Sequence, residues 1–383
     1  MRTRLKPIEQ QVIVITGATS GIGLCTARMA ADRGASVVLA ARNEQVLHDV
    51  CRDIQQEGGR ADYVVADVAN EQDVRNIARH AVKRFGGFDT WVNNAALSIY
   101  GEVFQIDLRE HRRLFDINYW GYVHGMLAAF DHLQDHAGAV INVGSVLSDR
   151  AIPMQGPYCA TKHAIKAITD AFRMEVQRDQ YPISVSLIKP AAIDTPYKDH
   201  ARNYMDVQAK NPPPVYAPHL VAEAILHCAE HHRRDVYVGG GGRAVSTGGS
   251  LFPGLSDLIM QWVMPWLQRT KEPAEKPDQH ALWEPVADGH ERGGYKHVRE
   301  HSFYTSAMLH PVVTSLVGFG LMAALGVTLA AAKRRSNYQM PASQHPLARR
   351  PSDYAPLSSP PPASPTTNPA INPATRPATR PQR

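Results

Sequence analysis

Apolar residues recur along the first two thirds of the chain in two alternating rhythms. Short, nearly unbroken runs occur at Gln11–Ile15, Ser36–Ala41, Ala61–Val65, Thr90–Val92, Val140–Val143, Ile183–Ile188 and Val236–Val238. Such runs, rich in β-branched residues, predict strands buried on both faces of a parallel sheet. Between them lie amphipathic stretches with the helical period. These include Leu24–Arg33, the segment from Asn43 to Gly58, the segment ending near Phe85, Leu108–Leu133, the stretch through Tyr158, and Ala217–His231. Strands alternating with helices imply right-handed crossovers and a doubly wound α/β fold. A parallel sheet of about seven strands is predicted over residues 1–245.

Punctuation between these segments sharpens the picture. The first strand runs into Thr16-Gly17-Ala18-Thr19-Ser20-Gly21-Ile22-Gly23. Three spaced glycines between a strand and a helix allow a tight turn, and the helix N-terminus adds partial positive charge, so the pattern suits a pyrophosphate. Asn43 reads as a helix N-cap. Asn93-Asn94-Ala95-Ala96 closes the fourth strand, and its amides suit either a self-satisfied turn or a wall beside a ligand. The helix expected from Leu108 to Leu133 carries Asn118 near its middle, where Asn is a poor helix former. That position calls for water or a bonding partner. Residues 197–216, rich in Pro and polar groups, read as a mobile cover.

Beyond residue 245 the rhythm breaks. Residues 246–304 read as an extension and linker, the charged, Pro- and Gly-bearing stretch 268–300 being the linker proper. Within the extension, Leu251–Leu267 is strongly apolar, with Trp262 and Trp266 four apart. It suits a pocket wall, a dimer contact or an interfacial membrane segment. Residues 312–332 carry no charge and precede Lys333-Arg334-Arg335. As a helix they would span about 31 Å at ~1.5 Å per residue, the thickness of a bilayer's hydrocarbon. A transmembrane or membrane-inserted helix is therefore expected over 305–335. The Pro-rich remainder, 336–383, is expected to be disordered.

Composition changes the picture in three respects. The net charge of +5 arises from the basic segment beyond Lys333, so the remainder is near neutral and nucleic-acid binding is not expected. Cys25, Cys51, Cys159 and Cys228 are far apart, which predicts free thiols in a reducing compartment. The histidines show no ligand spacing, so no metal is expected. The start of the chain, MRTRLKPIEQQ, lacks the apolar stretch of a secretory signal. A cytoplasmic catalytic domain with membrane association is the expected location.

The chemistry gathers in the stretch Ser145–Lys162. Tyr158 and Lys162 are four apart, so on a helix they share a face. A phenol titrates near pH ~10, and a neighbouring cation favours its ionised form, which would let Tyr158 trade a proton with a substrate oxygen. Ser145 follows the fifth predicted strand at its carboxyl end, the edge at which open α/β sheets bind ligands. At the end of the second strand, Arg42 stands where a basic residue accommodates a 2′-phosphate. Asp67-Val68, after the third strand, is placed to border an adenine.

With these residues in place, the chain over 11–242 resembles the short-chain dehydrogenase/reductase family. The resemblance rests on Thr16-Gly17-x3-Gly21-Ile22-Gly23, Asn93-Asn94-Ala95, Asn118, Ser145 and Tyr158-x3-Lys162. It implies a Rossmann-like catalytic domain that moves hydride between a nicotinamide and a carbonyl/alcohol pair. It further implies a catalytic tetrad of Asn118, Ser145, Tyr158 and Lys162, with Asn118 holding a water. Gly17, Thr19, Ser20, Gly21, Ile22, Gly23, Arg42, Asp67, Val68, Asn94, Tyr158, Lys162, Pro190, Ile193 and Thr195 are the implied cofactor contacts. NADP(H) is expected over NAD(H), on the strength of Arg42. The chain departs from the family where Ala191 follows Pro190 in place of Gly, and at Ala96. The expected partners are a small lipophilic carbonyl or alcohol, a lipid bilayer, and further copies of the chain in a homo-oligomer, dimer or tetramer. The alternative is a catalytically silent NADP-binding scaffold that recruits partners through its tail.

Overall fold

In the computed structural model, residues 4–274, 279–286, 288–311, 314–315 and 322–330 are described. The chain divides into one unit over Met1–Leu321 and a second over Met322–Arg383. Strand β1 (Val12–Thr16) pairs in parallel with β2 (Ser36–Ala41) on one side and with β4 (Thr90–Asn93) on the other. Helices α1 (Gly21–Asp32), α2 (Glu44–Gln56) and α3 (Glu71–Phe85) join the early strands, β3 (Arg60–Val65) among them. Next come α4 (Leu108–Phe115), α5 (Gly121–Leu133), β5 (Gly138–Val143), α6 (Gly156–Arg178), β6 (Ile183–Pro190), α7 (His219–Glu230) and β7 (Asp235–Val238).

The seven strands form one parallel sheet in the order β7-β6-β5-β4-β1-β2-β3. The order reverses between β1 and β4, and a crevice opens at their carboxyl ends. Side chains alternate across the sheet with period two. Ile13 and Ile15 pack with Leu24, Ala27 and Leu47 of α1 and α2, and with Val221 and Ile225 of α7. Val14 and Val38 point the other way, into a core with Ile77, Leu114, Met126 and Val176 of α3 to α6. Both faces are dry, which is why these strands read as unbroken apolar runs. Asn43 caps α2 as expected, its Oδ1 accepting from Val46 N at 3.3 Å. The four thiols are buried and unpaired.

Three expectations are corrected. The helix expected over 108–133 is two helices joined by a π turn at Asp116–Trp120. Such a turn widens the helix locally and frees it from the regular ladder; Asn118 lies inside it. The stretch 268–300 is no linker. Arg269–Pro273 pairs antiparallel with Val207–Ala209, and Val298–Arg299 pairs with Val215–Tyr216. Between them, Ala281 and Leu282 enter the core beside α3 to α6. Its backbone groups are satisfied by loops of the domain, through pairings too short to leave a period in the sequence. Nor does a membrane segment begin at 305, because Phe303–Leu309 is a short helix packed on the domain. Thr305 Oγ1 accepts from Gly239 N at 3.1 Å, and Arg233 Nη2 donates to Leu309 O at 2.9 Å.

The cover at 197–216 is built of a short helix, Tyr197–His200, and two- and three-residue strands. Pro253–Leu267 is a helix with no buried residue, and Leu255, Leu258, Trp262 and Trp266 lie exposed on it. Among the described residues no helix is long and apolar enough to cross a membrane. Of the expected span 312–332, residues 314–315 and 322–330 are described and helical, and the others lie outside the described residues. The expected tail, 336–383, lies wholly outside them.

Candidate active site

The loop after β1 is shaped by its glycines. Gly17 and Gly21 take φ of +66° and +53°, a region that costs any other residue more. A Cβ at Gly23 would stand 2.1 Å from the Gly17 carbonyl oxygen, so only glycine lets α1 start this close to the loop. Asn94 ties the same loop to β4. Its Nδ2 donates to Thr16 O at 2.9 Å and Gly17 O at 3.1 Å, while its backbone N donates to Thr16 Oγ1 at 3.0 Å. Asn94 is thus satisfied by backbone, and it also lines the cleft. Asn93 turns inward, its Nδ2 donating to Asn142 Oδ1 at 2.8 Å.

The crevice continues past β5. Ser145 follows Gly144 and caps a single 3-10 turn, its Oγ accepting from Leu147 N at 3.0 Å. Tyr158 and Lys162 lie on the first turns of α6, whose start is helped by Pro157. Lys162 is 2 % exposed. Its Nζ donates to Val143 O at 2.8 Å and approaches Tyr122 Oη at 3.5 Å. The ammonium lies 5.6 Å from the centre of the Tyr158 ring. Tyr197 meets Tyr158 edge-on, with centroids 5.6 Å apart.

The electrostatics revise one expectation. Burial pushes the Tyr158 phenol up to about 12, opposed by hydrogen bonding to Tyr197 and Ser145. Burial also brings Lys162 down to about 7. The cation therefore does not bring the phenol near neutrality in this state, because desolvation penalises both charges at once. Tyr158 is a neutral phenol in this state.

Asn118 is completely buried, and its amide makes three hydrogen bonds. Oδ1 accepts from Leu97 N at 2.9 Å, while Nδ2 donates to Leu97 O at 2.9 Å and Thr161 Oγ1 at 3.0 Å. Both amide protons are used and Oδ1 accepts one bond, so the side chain holds the loop after β4 against α6. Its place in a π turn answers why Asn interrupts the expected helix.

At the other end of the cleft, the chain itself meets the strand ends. Arg42 donates to the carbonyls of Ala281, Leu282 and Trp283. Arg113 pairs with Asp67 and donates through Nε to Leu282 O at 2.9 Å. Asp288 Oδ2 accepts from Thr19 Oγ1 at 2.7 Å, and its Oδ1 lies 3.1 Å from His200 Nε2. Burial opposes its ionisation, yet hydrogen bonds from His200, Thr19 and Ser20 hold the carboxyl below the usual range. Gly21 N donates to His290 O at 2.9 Å.

One cleft of about 230 Å³ collects every predicted site residue except Gly23 and Asn118, which stand just behind its wall. It runs from Arg42 and Asp67 past the glycine loop to Ser145, Tyr158 and Thr195. These features fit a dinucleotide: a glycine turn at a helix N-terminus, polar residues at two strand ends, and a Tyr-Lys pair at the far end. Sequence reasoning missed Tyr197, His200, Asn211 and the wall formed by Ala281, Pro285, Val286 and Asp288. The last four sit in a stretch with no motif and no period, so nothing in the sequence marked them.

A family model described as short chain dehydrogenase matches residues 11–206. An uncharacterized oxidoreductase of Bacillus subtilis, YxnA, is 44% identical over 337 residues, 87% of this chain and 93% of that one. An 11-beta-hydroxysteroid dehydrogenase A of Sesamum indicum is 35% identical over 190 residues, 49% of this chain and 54% of its own. Among solved structures, an alcohol dehydrogenase from the archaeon Thermococcus sibiricus, complexed with 5-hydroxy-NADP, matches with a TM-score of 0.53 at 26% identity. That match covers 60% of this chain and 95% of the other.

Proposed function

Since the chain belongs to the short-chain dehydrogenase family and is an oxidoreductase of that kind, we propose that it interconverts a carbonyl and an alcohol on a lipophilic substrate, using NADP(H). The observation that carries this reading is the cleft itself, in which Ser145 and Tyr158 face the same space as the glycine loop. When bound, the nicotinamide supplies or accepts the hydride. Gly17, Ser20, Gly21 and Ile22 would hold the dinucleotide's phosphates at the helix N-terminus. Thr195, Ile193 and Pro190 would flank its nicotinamide end, with Lys162 beside the ribose.

The protein's own part is proton handling and orientation. Ser145 would orient the substrate oxygen and donate to it as negative charge develops. Tyr158, neutral and buried, would give its proton to that oxygen in reduction, and in oxidation its phenolate would take the alcohol proton. Restoring a neutral Tyr158 is favoured strongly, because burial holds its phenol near about 12. Asn118 acts through position, keeping Leu97 and Thr161 in register so that the floor beneath Tyr158 does not move.

Support for a lipophilic substrate comes from the cover. Tyr100, Met154, Tyr197, Ala201 and Met205 form an apolar cluster there, and the sesame relative is named for a steroid substrate. NADP(H) preference rests on Arg42 at the end of β2 and on the NADP analogue carried by the archaeal neighbour. Association with a lipid bilayer rests on the uncharged run 312–332 and on the exposed tryptophans of 253–267. Oxidation of NADPH against a panel of lipophilic ketones tests the reaction. Turnover of at least one ketone by the wild type, with a loss of roughly 10²–10⁴-fold in Tyr158→Phe, is the expected result. Equal rates in the two proteins would remove Tyr158 from the chemistry.

A further inference from the structure

The stretch beyond Ala281 runs across the mouth of the cleft and touches the very groups that face the cofactor. Leu282 is fully buried and pins its near end. Arg42 holds three successive carbonyls, at Ala281, Leu282 and Trp283. Further on, Gly289 N donates to Thr19 O at 2.9 Å, and Asp288 binds the Thr19 hydroxyl and lies against His200 of the cover. The far end is pinned on Asp194, whose Oδ1 accepts from Gly293 N at 2.9 Å and Tyr295 N at 3.2 Å.

Two observations decide what this strap does. The cleft persists beneath its first part, with Val286 and Asp288 on one side and the glycine loop on the other. The strap is therefore a roof, and it does not fill the site. The space left in the cleft is about 230 Å³, below the ~300–1,000 Å³ of typical ligand pockets. With the strap down, Gly21 N and the Thr19 hydroxyl already hold His290 O and Asp288 Oδ2, so phosphates can reach those donors only after it lifts.

We propose that residues 281–286 and 288–293 form a gate over the cofactor cleft, which lifts to admit or release the dinucleotide and closes over it when bound. The proposal rests on the dinucleotide reading of the cleft. Its polar attachments to Thr19, Gly21 and Arg42 are of the kind that can open singly, whereas the apolar anchor at Leu282 and the Asp194 anchor keep the ends in place. Gly293 is the tightest point of the far anchor, since a Cβ there would stand 2.2 Å from Thr195 O. A side chain at 293 must push the strap outward.

Stopped-flow binding of NADPH, read by nicotinamide fluorescence, tests the gate in the full-length protein. In the wild type the observed association rate should level off with rising NADPH, at the rate of opening. Asp288→Asn and Gly293→Ala should each raise that plateau and the dissociation rate by roughly tenfold, as expected for the loss of one charge-assisted contact. Hydrogen exchange should show the amides of 281–293 better protected with NADPH than without. Circular dichroism confirms that each variant is folded, and two variants at opposite faces of the strap guard against a local accident at either. A rate linear in NADPH and unchanged in both variants would overturn the gate while leaving dinucleotide binding intact. Loss of protection on binding would also overturn it, because the strap would then be a displaced self-ligand. Failure of the wild type to bind NADPH or NADH at all would instead remove the dinucleotide reading beneath it.

Discussion

Lys162 carries a large electrostatic strain at the site. An unfolded lysine titrates at 10.5, while burial brings this one to about 7. The native state thus binds the proton less tightly than the unfolded chain, and stability rises with pH wherever the unfolded chain holds more protons. The burden is complete below about pH 7, shrinks as pH rises, and vanishes above 10.5. Lys162→Met should therefore be more stable than wild type at pH 6, by on the order of a few kcal/mol at ~1.36 kcal/mol per pKa unit. The gap should narrow toward pH 10, as urea unfolding of both proteins at several pH values would show. A gap of constant size would mean that Lys162 stays fully charged in the fold. Arg42 makes the second residue-scale prediction. Arg42→Asp should weaken NADPH binding by about 10- to 100-fold, the worth of charge-assisted contacts to one phosphate, and leave NADH nearly unchanged. Calorimetric titration with both cofactors would show it, and unchanged NADPH affinity would place the 2′-phosphate elsewhere.

At the scale of elements, the chain's rhythm was legible wherever an element buries itself. All seven strands, the cap at Asn43 and the glycine turn follow from local pattern, because a two-sided sheet demands unbroken apolar runs and a tight turn demands glycine. Asn118 was legible only as an anomaly. Its cause, a π turn closed by bonds to Leu97 and Thr161, involves partners over 20 residues away, which no local pattern encodes. Asn118→Ala would leave buried groups at Leu97 and Thr161 without partners, at on the order of 3 kcal/mol in all. Denaturant unfolding should record that loss, and a change under about 0.5 kcal/mol would show that the loop after β4 finds other partners. The strap over the cleft was not legible at all. Charge, Pro and Gly mark a loop, but they do not say whether a loop hangs free or lies in a groove.

At the scale of the molecule, the family domain supplies the sheet and the Tyr-Lys pair, and the segment beyond residue 245 returns to complete the cofactor cleft. The similarity to YxnA extends over 337 residues, while the family model ends at 206. Removal of residues 312–383 should leave the described cleft intact, since every residue that lines it precedes 289. The truncated protein should bind NADPH as before and lose its flotation with lipid vesicles. If it still floats, the exposed face of 253–267 carries the membrane contact instead.

The most direct test is a single-turnover measurement with cofactor deuterated at the transferable position. Wild type should place the label on the carbinol carbon of the product alcohol, and Tyr158→Phe should bind the cofactor normally yet transfer label at least ~10²-fold more slowly. Undiminished transfer in Tyr158→Phe would contradict the assignment of the proton to that tyrosine.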